Sequence, residues 1–269
     1  MEKQLKQKTS FYLFSNLSKF KAITHFVSTR LGGYSMHPFA SLNLGLSGKD
    51  SKEKVLANRE LVANELQISL SSFVFPSQVH GNHVVVIDEK DKGKGAFGDG
   101  NAIENADAIL TNVPNICLNV QAADCVPILL FDPKAKAVAA IHSGWKSTVK
   151  KIATCSLKKM QEVYGSKPEN IIAGIGPSMA PTCYEVGKDV ENAVIESFGT
   201  SEGFVENRNG KLFFDLWYAN QKQLLDLGVR KENIEIAGIC THCNTHEFFS
   251  ARKESVNSGR FAAGIFIKK

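Results

Sequence analysis

The chain has 269 residues, 43% of them apolar and 22% charged, an ordinary globular composition that can bury a sizeable core. Its net charge of +5 is mild; it suits anionic small molecules, and with no basic run or basic–aromatic array it argues against a nucleic-acid surface. No stretch approaches the ~20 apolar residues of a membrane span, and the apolar run at 11–14 is too short for the core of an export signal. A cytoplasmic location is therefore expected. There the six cysteines (117, 125, 155, 183, 240 and 243) stay reduced, as packing residues, metal ligands or nucleophiles rather than a disulfide frame.

In chain order, residues 11–14 and 23–29 read as strands. Asp50 followed by Glu53 has capping-box spacing, and Val55, Val62 and Leu66 then mark a helix of about four turns. Strands are predicted at 73–79, 83–87 and 108–110, with a Gly- and Lys-rich mobile surface loop at 91–101. The most apolar part of the chain is its centre: 116–120, 126–131 and 137–141. A long amphipathic helix over 144–164 carries Val149, Ile152, Ala153, Met160 and Val163 on one face. A strand at 171–175 precedes helices at 188–198 and 215–227, the second stopped by Gly228. Strands at 234–239 and 261–267 complete the set. Many strands, often adjacent, with four or five helices predict an α/β (α+β) fold, a mixed-sheet sandwich rather than a regular doubly wound sheet.

Asp132-Pro133 is a turn signal, with Asp at the first position and Pro at the second. A hairpin centred between Pro133 and Lys134 pairs residues whose numbers sum to 267, which sets Cys125 opposite His142. Their Cβ atoms would then lie roughly 4.5–5.5 Å apart, a separation at which a thiolate and an imidazole share either a metal ion or a proton. Pro127 cannot donate to a ladder, so this strand is expected at an edge or at a bulge. Ser143-Gly144-Trp145-Lys146 opens the following helix, and its N–H groups with Lys146 make a candidate anion site. Cys240-x-x-Cys243 has no second such pair and follows a late strand. It reads as structural or as a support to the pocket.

Taken together, several segments resemble the YfiH family, also called the multicopper polyphenol oxidoreductase or laccase-domain family and, in bacteria, peptidoglycan editing factors. They include Ser28-Thr29-Arg30-Leu31-Gly32-Gly33, Ser41-Leu42-Asn43-Leu44-Gly45, Asn58-Arg59, Gln78-Val79-His80-Gly81, Ala106-Asp107-Ala108 and Ala123-Asp124-Cys125. The series continues with Ile141-His142-Ser143-Gly144-Trp145, Ile175-Gly176-Pro177, Cys183-Tyr184-Glu185-Val186-Gly187, Cys240-Thr241-His242-Cys243-Asn244 and Phe248-Phe249-Ser250-Ala251-Arg252. The resemblance spans nearly the whole chain. It implies one catalytic domain over 1–269, an α/β sandwich likened to cysteine hydrolases, and His80, Cys125 and His142 as the catalytic metal ligands. His80 is implied by the resemblance alone. Departures lie in Lys146, where the family often has Arg, in His242 for a Tyr, and in Ala251 for an aromatic.

The activity the resemblance implies is zinc-dependent purine nucleoside chemistry. Adenosine, inosine and 5′-methylthioadenosine would undergo phosphorolysis, and adenosine would also be deaminated. Three protein ligands on Zn²⁺ leave a fourth position open, as catalytic rather than structural sites do. Arg30, Asn43, Lys146 and Arg252 are the candidate contacts to phosphate or nucleoside. The family's older label, copper-dependent polyphenol oxidase, needs many histidines. This chain has seven and no His-x-His, so Cu²⁺ at the site would be adventitious. A thiol hydrolase or deamidase with Cys125 as nucleophile and His142 as base, acting in peptidoglycan editing, uses the same pair but leaves His80 idle. Oligomeric state is not readable from the sequence.

Overall fold

The apolar centre of the chain folds into the middle of two stacked sheets. The computed structural model describes residues 1–46 and 48–269. One sheet runs, in spatial order, β1 (Glu2–Leu5), β2 (Ser10–Leu13), β3 (Ile23–Ser28), β15 (Phe261–Ile267), β7 (Cys117–Ala122) and β4 (Phe73–Val74). The other runs β14 (Ile234–Ile236), β10 (Ile172–Ile175), β8 (Val126–Asp132), β9 (Ala137–Ser143), β6 (Ala108–Thr111) and β5 (Val84–Val86). Both sheets are mixed, because β4–β7, β5–β6 and β10–β14 pair in parallel and the remaining pairs are antiparallel. A third, small sheet orders β11 (Glu185–Val186), β13 (Lys211–Phe214) and β12 (Val205–Arg208).

The period-2 alternation of the strands sorts their side chains into three cores. Leu129, Phe131, Val138 and Ala140 face Leu118, Val120, Ala263 and Ile265 between the sheets. Ile128, Leu130, Ala139 and Ile141 point the other way, onto helices α4 (Ile152–Tyr164) and α6 (Leu216–Asp226), with α3 (Trp145–Val149) and α5 (Lys188–Phe198) beside them. Helix α2 (Lys52–Glu65) covers the outer face of the first sheet through Leu61 and Val62. Two four-residue helices, α1 (Ser15–Ser18) and α7 (Ala251–Glu254), complete the set. The result is the expected mixed-sheet α/β sandwich, in four layers. Because β8 and β9 are buried on both faces, they read as continuous apolar runs. Among the described residues no helix is long and apolar enough to cross a membrane.

Several local expectations are corrected. The β8–β9 register sums to 269, not 267: Pro127 faces His142 and Asp132 faces Ala137. The Asp132 carboxylate accepts the N–H groups of Lys134 and Ala135, and Lys136 then takes a left-handed conformation (φ 51°), which lengthens the loop. Nor is β8 an edge strand, since it lies between β10 and β9. Pro127 is tolerated there because it sits beyond the last β10 pair, Ile175 with Ile128. Its carbonyl accepts Gly176 N–H at 2.8 Å on the side where its own N–H is missing.

The N-cap of α2 is Ser51, whose side chain accepts Lys54 N–H, while Asp50 instead holds Ser51 N–H and Asn43. The long helix expected over 144–164 is broken at Lys151, which is left-handed (φ 63°). Gln223, buried on α6, splints the break: it donates to Thr148 O at 3.1 Å and accepts Thr154 N–H at 3.3 Å. The strand expected over 73–79 stops at Val74, before Pro76. The segment 91–101 is tied down rather than a free loop, because buried Arg59 donates to Gly95 O and Ala96 O.

Candidate metal centre

Each chemically active side chain sits at the same end of the second sheet. Cys125 immediately precedes β8, and His142 is the penultimate residue of β9. Asp107 immediately precedes β6, and His80 lies just ahead of β5. The antiparallel and parallel pairings bring the starts of β8, β6 and β5 level with the end of β9. One ligating atom each from His80, Cys125 and His142 falls within 4.8 Å of the others, and the two imidazole rings are 4.9 Å apart. The register slip leaves Cys125 level with Gly144 rather than His142, yet a shift of two residues keeps its side chain on the same face.

Asp107 organises this cluster. It is fully buried, and Oδ1 accepts His142 Nδ1–H at 2.8 Å and His80 N–H at 3.0 Å. Oδ2 accepts Gly81 N–H at 2.6 Å and Val79 N–H at 3.3 Å. Three successive N–H groups thus converge on one carboxylate, which holds His80 in a left-handed conformation (φ 57°) that a non-glycine residue rarely adopts. Burial resists ionisation of Asp107, but the His142 and Gly81 hydrogen bonds prevail and hold it below the usual carboxylate range. Burial likewise opposes an imidazolium at His142. The Cys125 sulfur and the Asp107 carboxylate overcome it and push this histidine up to about 9. His80 is shifted down by burial and by His142.

With Nδ1–H committed to Asp107, His142 turns Nε2 toward Cys125, so the proton that a metal would displace is the one on Nε2. One thiol and two imidazoles, one of them backed by a carboxylate, fit a three-ligand Zn²⁺ or Cu²⁺ site. Gly144 is part of the design: a Cβ there would lie 2.7 Å from His80 Nδ1 and 3.0 Å from Cys125 Sγ. The turn expected to bind an anion is thus packed against the donor atoms, and α3 behind it is only five residues long.

Two cavities share His80 and Cys125. The larger, about 340 Å³, also meets His142, Gln121 and Arg260. The other, about 220 Å³, is walled by Trp145, Lys146, Tyr184 and Leu216. Of the predicted contacts, Lys146 is therefore at the site. Arg252 stands over the Tyr184 ring at 5.4 Å and reaches Glu185 O. Arg30 lines neither cavity, because its guanidinium is spent on Ala40 O, Thr245 O and Glu254. Asn43 acts indirectly: Oδ1 accepts Arg260 N–H at 2.8 Å, and its own carbonyl is held by Asn58 on α2.

Arg260 escaped the sequence reading. NH1 is tethered to Ser258 O and Gly259 O, and the rest of the guanidinium makes no hydrogen bond among the described residues. The signal was an arginine directly ahead of a wholly apolar strand. Asp124 carries an anchoring role, with its carboxylate accepting Thr241 Oγ1–H and Arg252 N–H at 2.7 Å each.

Residues 24–268 match the family described as multi-copper polyphenol oxidoreductase laccase. The chain belongs to this laccase-domain family. It is 36% identical over 259 residues to a purine nucleoside phosphorylase of Bacteroides thetaiotaomicron, covering 95% of this chain and 96% of that one. It is 35% identical over 250 residues to a protein named adenosine deaminase RL5 from an unknown prokaryotic organism, covering 92% and 95%. The crystal structure of Bacillus licheniformis YfiH superposes with a TM-score of 0.92 at 31% identity, covering 99% of both chains.

Proposed function

We propose that the chain is a zinc-dependent purine nucleoside enzyme. It would convert adenosine, inosine and 5′-methylthioadenosine with phosphate to free base and (methylthio)ribose 1-phosphate, and it would also deaminate adenosine. The observation that carries this reading is a three-donor cluster of which His80 and Cys125 face two cavities, one bearing a part-free guanidinium and the other walled by aromatic faces. Relatives of matching length carry the names of both activities.

His80, Cys125 and His142 would hold Zn²⁺, which when bound supplies Lewis acidity and a water of lowered pKa. Asp107 keeps the proton on His142 Nδ1 and sets the His80 backbone. Arg260 in the larger cavity and Lys146 in the smaller would supply positive charge on either side of the donor cluster, against which phosphate binds. Gln121 spends Nε2 on Leu44 O at 2.8 Å and leaves its amide oxygen for a ribose hydroxyl. Trp145 and Tyr184 offer flat apolar faces to the purine.

One observation favours a second reading. Cys125, His142 and Asp107 are disposed as nucleophile, base and orienting carboxylate of a thiol hydrolase. His80 has no task in such a triad, whereas a metal uses it. The test is to incubate the purified protein with adenosine or inosine, with and without phosphate, and to separate the products. Free base with ribose 1-phosphate only when phosphate is present is the expected result. No turnover of any purine nucleoside, or undiminished turnover in Cys125→Ala, overturns the reading.

A further inference from the structure

A second group of metal donors lies apart from the first. Cys183, His242 and Cys243 each offer one ligating atom within 4.8 Å of the other two, and the two sulfurs are 3.3 Å apart. Cys240 stands beside both thiols, and its sulfur accepts Ala180 N–H at 3.3 Å. The sequence separates Cys183 from Cys240 by more than fifty residues, so spacing alone offered Cys240-x-x-Cys243 no second pair. A bridge between Ser178 and Cys240, with Thr241 N–H donating to Ser178 O at 3.0 Å, joins the two segments. The turn after Cys240 is shaped without any ion: Asn244 donates both its backbone N–H and its Nδ2 to Cys240 O.

We propose that Cys183, Cys240, His242 and Cys243 form a second metal site, of the closed Cys₃His kind, that takes Zn²⁺. A disulfide would use two of these groups and leave an imidazole and a third thiol without purpose. Two thiolates on one tetrahedral zinc, bonded at about 2.3 Å, lie about 3.8 Å apart, so Cys183 and Cys243 need separate by about half an ångström, while Cys240, which stands beside both thiols but outside the three-donor group, must close on His242. Soft sulfur donors with one imidazole select zinc over hard cations.

The location gives the ion a task. Cys183 precedes Tyr184, which walls the aromatic cavity, and Thr241 holds the Asp124 carboxylate beside Cys125. Metal here would cross-link the two segments that frame that cavity, a structural role distinct from the chemistry at His80, Cys125 and His142.

Cobalt reports this directly, because thiolate ligation gives Co²⁺ a near-ultraviolet sulfur-to-metal absorption. The full-length Cys125→Ala variant, reduced and freed of metal, leaves the first site without a thiolate and should still develop that absorption, saturating at one equivalent of Co²⁺. Adding Cys183→Ser and Cys243→Ser should abolish it. If that variant does not melt cooperatively, His242→Ala keeps every thiol and should weaken Co²⁺ binding at least tenfold. No sulfur-to-cobalt absorption in reduced Cys125→Ala overturns the proposal. So does absorption that survives the serine substitutions, or unchanged affinity in His242→Ala.

Discussion

Replacing Asp107 by Asn keeps the shape of the side chain and removes one acceptor oxygen, so its cost follows from the four hydrogen bonds converging on the carboxylate. If the amide nitrogen takes the place of Oδ2, the N–H groups of Gly81 and Val79 lose their acceptor. At ~1–3 kcal/mol per donor left unsatisfied, the two together cost on the order of 2–6 kcal/mol and release His80 from its left-handed conformation. If instead the nitrogen replaces Oδ1, His142 must accept at Nδ1 and carry its proton on Nε2, where no lone pair is left for a metal. Either placement injures the donor set, and the loss of such a supporting carboxylate typically costs ~10–100-fold in metal affinity. The assay is competition for zinc against a chelator of known affinity, with thermal melting of the metal-free form alongside. Zinc affinity within threefold of wild type, with an unchanged melting temperature, would refute the role given to Asp107.

Gly144→Ala keeps a backbone conformation any residue adopts (φ −74°) yet drives a methyl group into His80 and Cys125, so zinc affinity should drop at least tenfold while the metal-free protein melts as before. Equal affinity in the same chelator competition would remove Gly144 from the site. Arg260→Ala should raise the phosphate KM and cut phosphorolysis roughly tenfold to a hundredfold, the worth of a charge-assisted hydrogen bond of ~1.5–3 kcal/mol. Deamination, which uses no phosphate, should change by less than threefold; an equal loss in both reactions would contradict a phosphate role.

His25 offers a pH test remote from the site. Burial pushes it down to about 4 against the pull of Glu235, and it accepts Phe14 N–H at 2.8 Å as the neutral ring. The unfolded chain binds this proton near pH 6.5 and the folded one only near 4, so stability falls as pH drops through that window, by about 3 kcal/mol in full. Denaturant unfolding of His25→Gln should lack this component. Identical pH profiles would show that His25 is not the group responsible.

Which parts of this were legible follows from where the information lies. Apolar runs gave the central strands because β8 and β9 are buried on both faces, and Asp132-Pro133 announced their turn. The left-handed Lys136, which moved the register by two, has no signature in a lysine. The break before α4 was hidden because its repair comes from Gln223, more than seventy residues away. Strand β1 is exposed throughout, and the three-strand sheet of β11 to β13 is half-buried or exposed at every position but Phe214, so neither has the apolar pattern that marked the rest. At the site, spacing could relate Cys125 to His142 across one hairpin. It could not relate either to Asp107, whose importance rests on three backbone N–H groups, or to Arg260, which arrives at the end of the other sheet.

His80, Cys125 and His142 are proposed to hold the metal on which turnover depends. The most direct test of this assignment is phosphate-dependent turnover of inosine by protein stripped of metal, followed as Zn²⁺ is returned. The stripped enzyme should be inactive, wild type should recover when zinc is restored, and Cys125→Ala should not. Full turnover by protein holding less than about a tenth of an equivalent of any metal would contradict the assignment.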